Sequence, residues 1–359
     1  MGKMHTLSPD SANPLLSDIE CKLLDKFQRD FPLVPRPFAE LARQLRVDEV
    51  LVIDTLRSLQ ERSLVSRVGA VFRPNVVGVS ALAALAVPVE RLEQVALQVN
   101  AFVEVNHNYE REHRFNLWFV ATASSAEYLR VLLHEIETTC ACGPVLILPL
   151  LEQFHIDLGF DLGFDKTPTA LQAFHGSKQA PAEVAAIALS QNEQAFMAAL
   201  QCGLPLVAQP FAQLGWTESD SLDTLARWCE QGVIKRFGVV VRHHELGFTA
   251  NAMVVWDVPD ALVSAIGKHI ADSGRVSLCY RRPRCLPDWP YNLFCMIHGK
   301  DRSEVEQSIA ALVQMCGLGE YPHSILFSRR RFKQCGAQYV SNVTNTNNKS
   351  LPELAYGPD

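Results

Sequence analysis

Two segments of the chain concentrate side chains that bind anions and transfer protons. The first is His107-Asn-Tyr-Glu-Arg-Glu-His-Arg-Phe-Asn-Leu-Trp118, and the second runs from Cys279 to His298 and begins Cys-Tyr-Arg-Arg-Pro-Arg. Surface loops usually draw on Gly, Asn and Ser, whereas these two loops carry His, Tyr, Arg and Trp. Aromatic rings stack on flat ligands, and guanidinium groups bind carboxylates through two hydrogen bonds. The two segments therefore indicate a site for a flat, anionic ligand.

Both segments occupy equivalent positions in an internal repeat. Arg67-Val-Gly-Ala-Val-Phe-Arg73 matches Arg236-Phe-Gly-Val-Val-Val-Arg242, and Tyr109 of the first segment matches Tyr280 of the second. A duplication of this length is typical of two homologous units in one chain. The halves are unequal, however, because His107 aligns with Leu278 and His298 aligns with Thr122. We therefore expect that only one half, or one cleft between the halves, is a complete active site.

The order of predicted elements defines the fold class. Three short helices precede the alternating stretch Val65 to Phe72, which we interpret as a two-stranded wing that turns at Gly69. These elements form a winged helix-turn-helix, and a βαββαβ ferredoxin-like succession follows. The predicted class is α+β, with two tandem repeats of this pair of domains. The predicted boundaries are 15–80 and 191–248 for the winged helix-turn-helix units, 81–160 and 249–335 for the ferredoxin-like domains, 161–190 for a linker and 336–359 for a polar, disordered tail.

Composition excludes several classes of protein. The 33 Lys and Arg residues are outnumbered by 39 Asp and Glu, so the net charge of −6 does not suggest general binding to nucleic acid or to a membrane surface. The longest apolar stretch, Val79 to Val89, is too short to span a bilayer, and the first residues lack a hydrophobic signal core. The 10 cysteines are scattered. We expect a cytoplasmic protein with mostly inert thiols.

The predicted recognition helices are poorly suited to DNA. The stretch Val47 to Arg62 carries four acids against two arginines, and Asp48 and Glu49 stand at its entry. In the second half, Arg227 is the one basic residue among the acids Glu218, Asp220, Asp223 and Glu230. Neutralisation of phosphates supplies much of the affinity in protein–DNA complexes, so these helices would repel the duplex. We expect no DNA binding and interpret the winged helices as packing the two halves together.

The motifs resemble those of a known enzyme family. The architecture is similar to that of Lrp/AsnC regulators. His107-Asn-Tyr-x-Arg-x-His113, Tyr280-Arg-Arg-Pro283 with Pro287-x-Trp-Pro-Tyr-Asn292, and Leu326-Phe-Ser-x-Arg-Arg-Phe-Lys333 resemble signatures of sirohaem decarboxylases. The resemblance implies a fused two-subunit form that acts in haem d1 biosynthesis. The implied reaction removes CO₂ from the C12 and C18 acetates of sirohaem and gives 12,18-didecarboxysirohaem.

The resemblance also implies cofactors and partners. The iron arrives with the substrate, so no separate cofactor is expected. Sirohaem is the expected ligand, and neither DNA nor a membrane is an expected partner. A homodimer and an association with other haem d1 biosynthesis proteins both stay open.

The resemblance assigns roles to the polar side chains of the two segments. His107 or His113 would ligate the substrate iron or donate a proton, and Tyr109 and Tyr280 would donate a proton or bind a carboxylate. His298 ends an apolar strand, where both catalysis and a structural role are open. The predicted catalytic residues are His107, Tyr109, His113, Tyr280 and His298. The predicted substrate-binding residues are Arg111, Asn116, Trp118, Arg281, Arg282, Arg284, Trp289, Tyr291, Asn292, Arg330, Arg331 and Lys333.

Two alternatives compete with the lyase. A haem- or sirohaem-responsive regulator of the Lrp/AsnC type would bind the same ligand unchanged and also bind DNA, which the acidic helices disfavour. A small-molecule regulator of amino-acid metabolism would not need loops rich in Trp and Arg. For Asn116 and Asn292, fixing of the loops by hydrogen bonds is a competing role. For the basic run Arg329 to Lys333, a solvated surface is the competing interpretation.

Overall fold

A computed structural model describes residues 16–73, 75–156, 187, 189–242, 245 and 247–336. Most of the predicted linker and nearly all of the predicted tail lie outside these residues. The first half contains, in chain order, α1 (Asp18–Lys26), α2 (Pro37–Leu45), α3 (Glu49–Glu61), β1 (Val65–Phe72), β2 (Val79–Leu85), α4 (Leu92–Ala101), β3 (Val105–Arg111), β4 (Leu117–Ala123), α5 (Ala126–Cys140), β5 (Leu146–Pro149) and β6 (Glu152–Ile156). The second half contains α6 (Gln191–Gln201), α7 (Glu218–Glu230), β7 (Ile234–Val241), β8 (Ala250–Trp256), α8 (Val263–Asp272), β9 (Leu278–Arg281), β10 (Leu293–Gly299), α9 (Arg302–Cys316) and β11 (His323–Gln334).

Local sequence signals start the corresponding helices of the two halves in the same way. Ser17 and Glu20 form a capping box at α1, and Ser190 and Glu193 form one at α6. The halves differ at the next helix, because α2 is replaced in the second half by a single 3₁₀ turn, Phe211–Gln213. The predicted helices that precede the strands are therefore present in both halves, with one of them shortened in the second half.

The winged helix-turn-helix units of the two halves share one hydrophobic core. Leu24, Phe38 and Leu56 of the first half and Phe196 and Trp228 of the second are at most 1% exposed and belong to the same buried cluster. Burial of this much apolar surface favours a single packed body over two independent units. The expectation that these units pack the halves together is confirmed.

The predicted wing hairpin is wrong. Val65–Phe72 is one continuous strand, β1, which pairs antiparallel with β7 of the other half, and Gly69 lies opposite Gly238 at the centre of this ribbon. A side chain at Gly238 would place its Cβ 2.4 Å from the carbonyl oxygen of Phe27. The glycine therefore permits close approach of two backbones, and the alternation of side chains continues through it without a turn.

The ferredoxin-like domains are joined into one nine-stranded sheet. The strand order is β5-β2-β4-β3-β11-β8-β10-β9-β6, which confirms the predicted βαββαβ succession in each half. One buried cluster packs the sheet against α4 and α5, and another packs it against α8 and α9. A further cluster unites Ala84, Trp118 and Leu148 of the first half with Val255 and Phe294 of the second. The two ferredoxin-like domains therefore bury the opposite face of their strands against each other.

Each half donates a strand to the edge of the other. β11 pairs with β8 through Phe327 and then with β3 from Ser328 onward, while β6 leaves the first half to pair with β9. Phe154 of β6 packs so closely on α8 that a Cβ at Gly267 would lie 2.2 Å from its ring. The halves are thus hydrogen-bonded at the centre of the sheet, through β11 and β3, and at one edge, through β6 and β9. Within the described residues, no helix combines the length and the apolar character needed to cross a membrane.

Candidate active site

Strands of both halves and the β1–β7 ribbon line a single cavity of about 1270 Å³. Tyr109 and Arg111 of β3 line it from the first half, and Tyr280 of β9 and Arg282 line it from the second. Ligand cavities typically occupy about 300–1,000 Å³, so this one exceeds that range and has room for a large ligand. The cavity lies between the halves, so its walls require the whole chain.

A tyrosine and an arginine form the same pair in each half. The guanidinium carbon of Arg111 lies 5.8 Å from the ring centre of Tyr109, and that of Arg282 lies 5.2 Å from the ring centre of Tyr280. Residues two positions apart on a strand project from the same face, which brings each pair to the cavity side of its sheet. Burial raises the pKa of Tyr109, so its phenol stays protonated at neutral pH.

The paired arginines lack acidic partners among the described residues. Arg111 donates to the carbonyl oxygen of Leu326 at 3.1 Å, and Arg282 donates to that of Leu148 at 2.5 Å. The Nε of Arg282 is buried without a hydrogen bond. Burial lowers the pKa of each guanidinium to about 10, which leaves both cationic at neutral pH. Two buried cations without counter-ions create a strong preference for an anionic ligand.

His107 is held as a neutral imidazole beside Tyr109. Its Nδ1 donates to the Oδ1 of Asn106 at 2.8 Å, and its ring stacks against that of Tyr109 at a centroid distance of 6.3 Å. Burial lowers the pKa of His107 to about 4. A hydrogen bond from Nδ1 leaves Nε2 with its lone pair, and that is the form of histidine that coordinates iron.

His298 also lines the cavity, from the second half. Its Nδ1 lies 2.9 Å from the Oγ of Ser277, which donates in turn to the carbonyl oxygen of Met296. The position equivalent to His298 in the first half is Thr122, which lines the cavity as well. Each half therefore contributes one histidine, and the two histidines occupy different strand positions.

His113, Trp289 and Tyr291 do not line the cavity. The Nδ1 of His113 accepts a hydrogen bond from the backbone N–H of Phe115 at 3.0 Å, and its ring meets that of Trp289 edge-on at 5.3 Å. Trp289 is fully buried in the cluster between the ferredoxin-like domains, where Tyr291 contacts it at 5.0 Å. Trp118 lines the cavity, and these three residues pack behind it through the contact between Trp289 and Trp118.

Asn116 and Asn292 perform the same structural task in the two halves. The side chain of Asn116 accepts from the backbone N–H of Val87 at 2.9 Å and donates to its carbonyl at 2.8 Å. Asn292 makes the same two bonds with Val258, at 3.0 and 2.8 Å. A two-pronged amide bond of this kind fixes the connection after β2 and β8 to the adjacent loop. Neither asparagine lines the cavity.

The remaining predicted substrate-binding cations are engaged outside the cavity. Arg281 pairs with Asp260 at 3.2 Å, and Arg284 pairs with Asp257 at 2.7 Å. On β11, the pairs are Arg330 with Glu110 and Glu93, and Arg331 with Glu245, while Lys333 donates to the carbonyl oxygens of Asn100 and Phe102. Arg330 and Lys333 thus tie β11 to the first half. Assignment of these cations to substrate binding stays a prediction.

Sequence reasoning missed a group of lining residues outside the two motifs. They are Arg67 and Arg236 of the β1–β7 ribbon, together with Asn106 and Asn251. The internal repeat contained a usable signal, because Arg67 and Arg236 recur at equivalent positions two residues before a glycine. Interpretation of that glycine as a turn concealed the continuous strand on which each arginine lies.

Comparisons with known proteins agree with this architecture. Residues 77–155 and 245–333 match the AsnC-like ligand binding domain, and residues 20–65 match the siroheme decarboxylase NirDL-like HTH domain. The siroheme decarboxylase NirL subunit of Stutzerimonas stutzeri is 50% identical over 145 residues, which cover 39% of this chain and 85% of that subunit. A crystal structure of the siroheme decarboxylase NirDL in co-complex with an iron-uroporphyrin III analogue is similar, with a TM-score of 0.62 and 29% identity, covering 90% of this chain and 94% of that chain.

Similarity to a curated relative extends over nearly the full length of both proteins. The siroheme decarboxylase NirDL subunit of Paracoccus denitrificans (strain Pd 1222) is 44% identical over 329 residues, which cover 90% of this chain and 97% of that protein. The motifs of the cavity wall, the repeated architecture and this full-length identity lead to one assignment. The chain belongs to the sirohaem decarboxylase NirDL family.

Proposed function

We propose that this chain is a sirohaem decarboxylase that removes CO₂ from the C12 and C18 acetates of sirohaem, in haem d1 biosynthesis. The observation that carries the proposal is the cavity between the halves, where Arg111 and Arg282 face the ligand space without acidic partners among the described residues. Sirohaem is a flat iron tetrapyrrole whose rim consists of acetate and propionate carboxylates. Family membership and this distribution of charge support the same substrate.

The chemistry requires one proton for each CO₂ released. The bond between the acetate methylene and its carboxyl carbon breaks, the electron pair stays on the methylene and the conjugated ring, and a proton converts the methylene into a methyl group. Tyr109 suits proton donation, because burial keeps its phenol protonated. Tyr280 and His298 are the corresponding candidates in the second half, since both line the cavity. No separate cofactor is needed in this scheme, because the ring itself delocalises the developing charge.

The arginines hold the carboxylates that remain on the ring. A guanidinium binds a carboxylate through two parallel hydrogen bonds, which fixes the orientation of the macrocycle. His107 is assigned to the substrate iron, because its Nδ1 is engaged by Asn106 and its pKa of about 4 keeps Nε2 unprotonated. A macrocycle that fills the cavity would displace water from it, and this would destabilise the departing carboxylate relative to neutral CO₂.

A regulator that binds DNA is the less favoured function. Asp48 occupies the N-cap position of α3, Glu49 pairs with Arg36, and Arg57 pairs with Asp54 of the same helix. The arginines on or beside this helix are therefore neutralised within the protein, which leaves little positive charge for phosphates.

The direct test is anaerobic incubation of the purified chain with sirohaem, followed by mass spectrometry of the tetrapyrrole. Loss of two CO₂ from the substrate is the expected result, and loss of one would show that a second component completes the reaction. Recovery of bound but unchanged sirohaem, together with binding to duplex DNA, would favour the regulator instead.

A further inference from the structure

The two winged helix-turn-helix units share one hydrophobic core and are here called the winged-helix body. The β1–β7 ribbon of this body forms a wall of the cavity. Gly69 lies opposite Gly238, Arg67 lies opposite Val240, and Val71 lies opposite Arg236, so the two arginines are related by the local twofold symmetry of the ribbon. Both arginines line the cavity. In a DNA-binding winged helix, the corresponding strands would belong to a wing beside the duplex, whereas here they face the ligand space.

Arg67 is poorly satisfied by the protein itself. Its Nη2 donates to the carbonyl oxygen of Ala70 at 3.0 Å, while its Nε is buried without a hydrogen bond. No acidic side chain among the described residues pairs with Arg67, and burial lowers its pKa. A buried cation without a counter-ion is costly, and the cost is offset when an anion binds beside it.

The net charge of the cavity-lining residues in the winged-helix body also favours an anionic ligand. The residues of the winged-helix body that line the cavity include five cations and two acids, namely Arg29, Arg67, Lys235, Arg236 and Arg242 against Asp30 and Glu230. This excess adds to that of Arg111 and Arg282 on the ferredoxin-like side. The cavity is therefore cationic on two walls contributed by different domains.

We propose that Arg67 and Arg236 bind rim carboxylates of the tetrapyrrole, so that the winged-helix body selects substrates by the number of their carboxylates. This inference rests on the proposed function, because it concerns the same cavity and ligand. A macrocycle with eight carboxylates presents anions around its whole rim, and cations on one wall alone would leave part of that rim unpaired. Arginines on the second wall complete the match, and a ring with only two carboxylates would gain little from them.

The test compares two iron tetrapyrroles that differ in carboxylate number. Arg67→Met and Arg236→Met are titrated with iron uroporphyrin III, which has eight carboxylates, and with haem, which has two, and dissociation constants are read from the Soret band. Each variant should bind the octacarboxylate about tenfold or more weakly and bind haem within about twofold of wild type. Arg57→Met is the matched control, because Arg57 is half-exposed, pairs with Asp54 and does not line the cavity.

Thermal unfolding separates ligand binding from a purely structural role. Methionine keeps the bulk of the Arg67 side chain and removes its buried charge, so the Tm of Arg67→Met should be equal to or higher than that of wild type. Arg67→Lys, which keeps the charge and loses the two-pronged geometry, should bind the octacarboxylate with intermediate affinity. If Arg67→Met fails to fold, the dissociation constants of Arg67→Lys and Arg236→Met provide the test instead.

The outcomes distinguish the role of Arg67 and Arg236 from the decarboxylase activity itself. Wild-type affinity for the octacarboxylate in folded Arg67 and Arg236 variants would overturn this inference, and would leave the decarboxylase intact if wild type still releases CO₂ from sirohaem. An equal loss of affinity for haem would also overturn it, because carboxylate number would then not matter. Tight octacarboxylate binding by wild type without CO₂ release would contradict the proposed function and leave the role of the arginines standing.

Discussion

The two hairpins that line the cavity share a pattern of anion recognition and differ in their histidines. Tyr109 and Arg111 on β3 correspond to Tyr280 and Arg282 in the second half, and both arginines face the cavity without acidic partners among the described residues. His107, by contrast, has an apolar counterpart, Leu278. Duplication thus preserved a tyrosine and an arginine at the cavity wall in both halves, while the histidine was kept in only one of them.

The largest effect is expected from making the two hairpins alike at the histidine position. His107→Leu introduces the residue type that the second half carries. It should lower the rate of CO₂ release by about 100-fold or more while the tetrapyrrole still binds, because the contact with the iron that positions the ring is lost. Product formation by mass spectrometry and the iron spectrum of the bound ligand measure the two effects. His134→Leu, on the exposed surface of α5, is the control. An equal loss in His113→Leu, with the fold intact, would contradict the placement of His113 outside the cavity.

The shared arginines should respond equally in the two halves. Arg111→Met and Arg282→Met should each weaken binding of sirohaem by about 10- to 100-fold, because each removes charge-assisted hydrogen bonds to a carboxylate. Equilibrium titration of the Soret band measures the change, with Arg275→Met on the exposed approach to β9 as the control. A loss confined to one arginine would show that the halves differ in binding as well as in chemistry.

The two cavity tyrosines should contribute unequally to the rate of the reaction. Tyr109→Phe should lower kcat by about tenfold or more and exceed the effect of Tyr280→Phe, since Tyr109 lies beside His107. Burial raises the pKa of Tyr109, so its phenol remains a proton donor as the pH rises, and wild-type kcat should stay level between about pH 7 and 9. Single-turnover rates across this range measure both effects. A larger loss in Tyr280→Phe would move proton donation to the second half.

The smallest effects are expected behind the cavity. Asn116→Ala removes two hydrogen bonds and Asn292→Ala removes three, and each should lower the free energy of unfolding by about 1–3 kcal/mol. The loss should be greater for Asn292, which is 1% exposed and also donates to Asp260 at 3.2 Å. Urea unfolding measures the difference. Full stability with lost sirohaem binding in either variant would instead indicate direct contact with the substrate.

Much of the fold follows from local patterns. The capping boxes at Ser17 and Ser190 and the repeated βαββαβ succession predict the elements of both halves, because these signals act within a few residues of each other. The Tyr–Arg pairs were also predictable, since their spacing of two places both side chains on one face of a strand. Pairing between distant strands leaves no comparable local signal, and both the β1–β7 ribbon and the exchange of β6 and β11 were missed for that reason.

The sequence by itself determined the duplicated architecture, the residue types of the two hairpins and their inequality at His107 and Leu278. The tertiary structure decided which of those residues share a cavity. Arg282 meets the ligand space while the adjacent Arg281 pairs with Asp260, because successive residues of a strand project to opposite faces and only the packing of the sheet decides which face is enclosed. The packing of the two halves likewise places the β1–β7 ribbon, with Arg67 and Arg236, at the wall of the cavity.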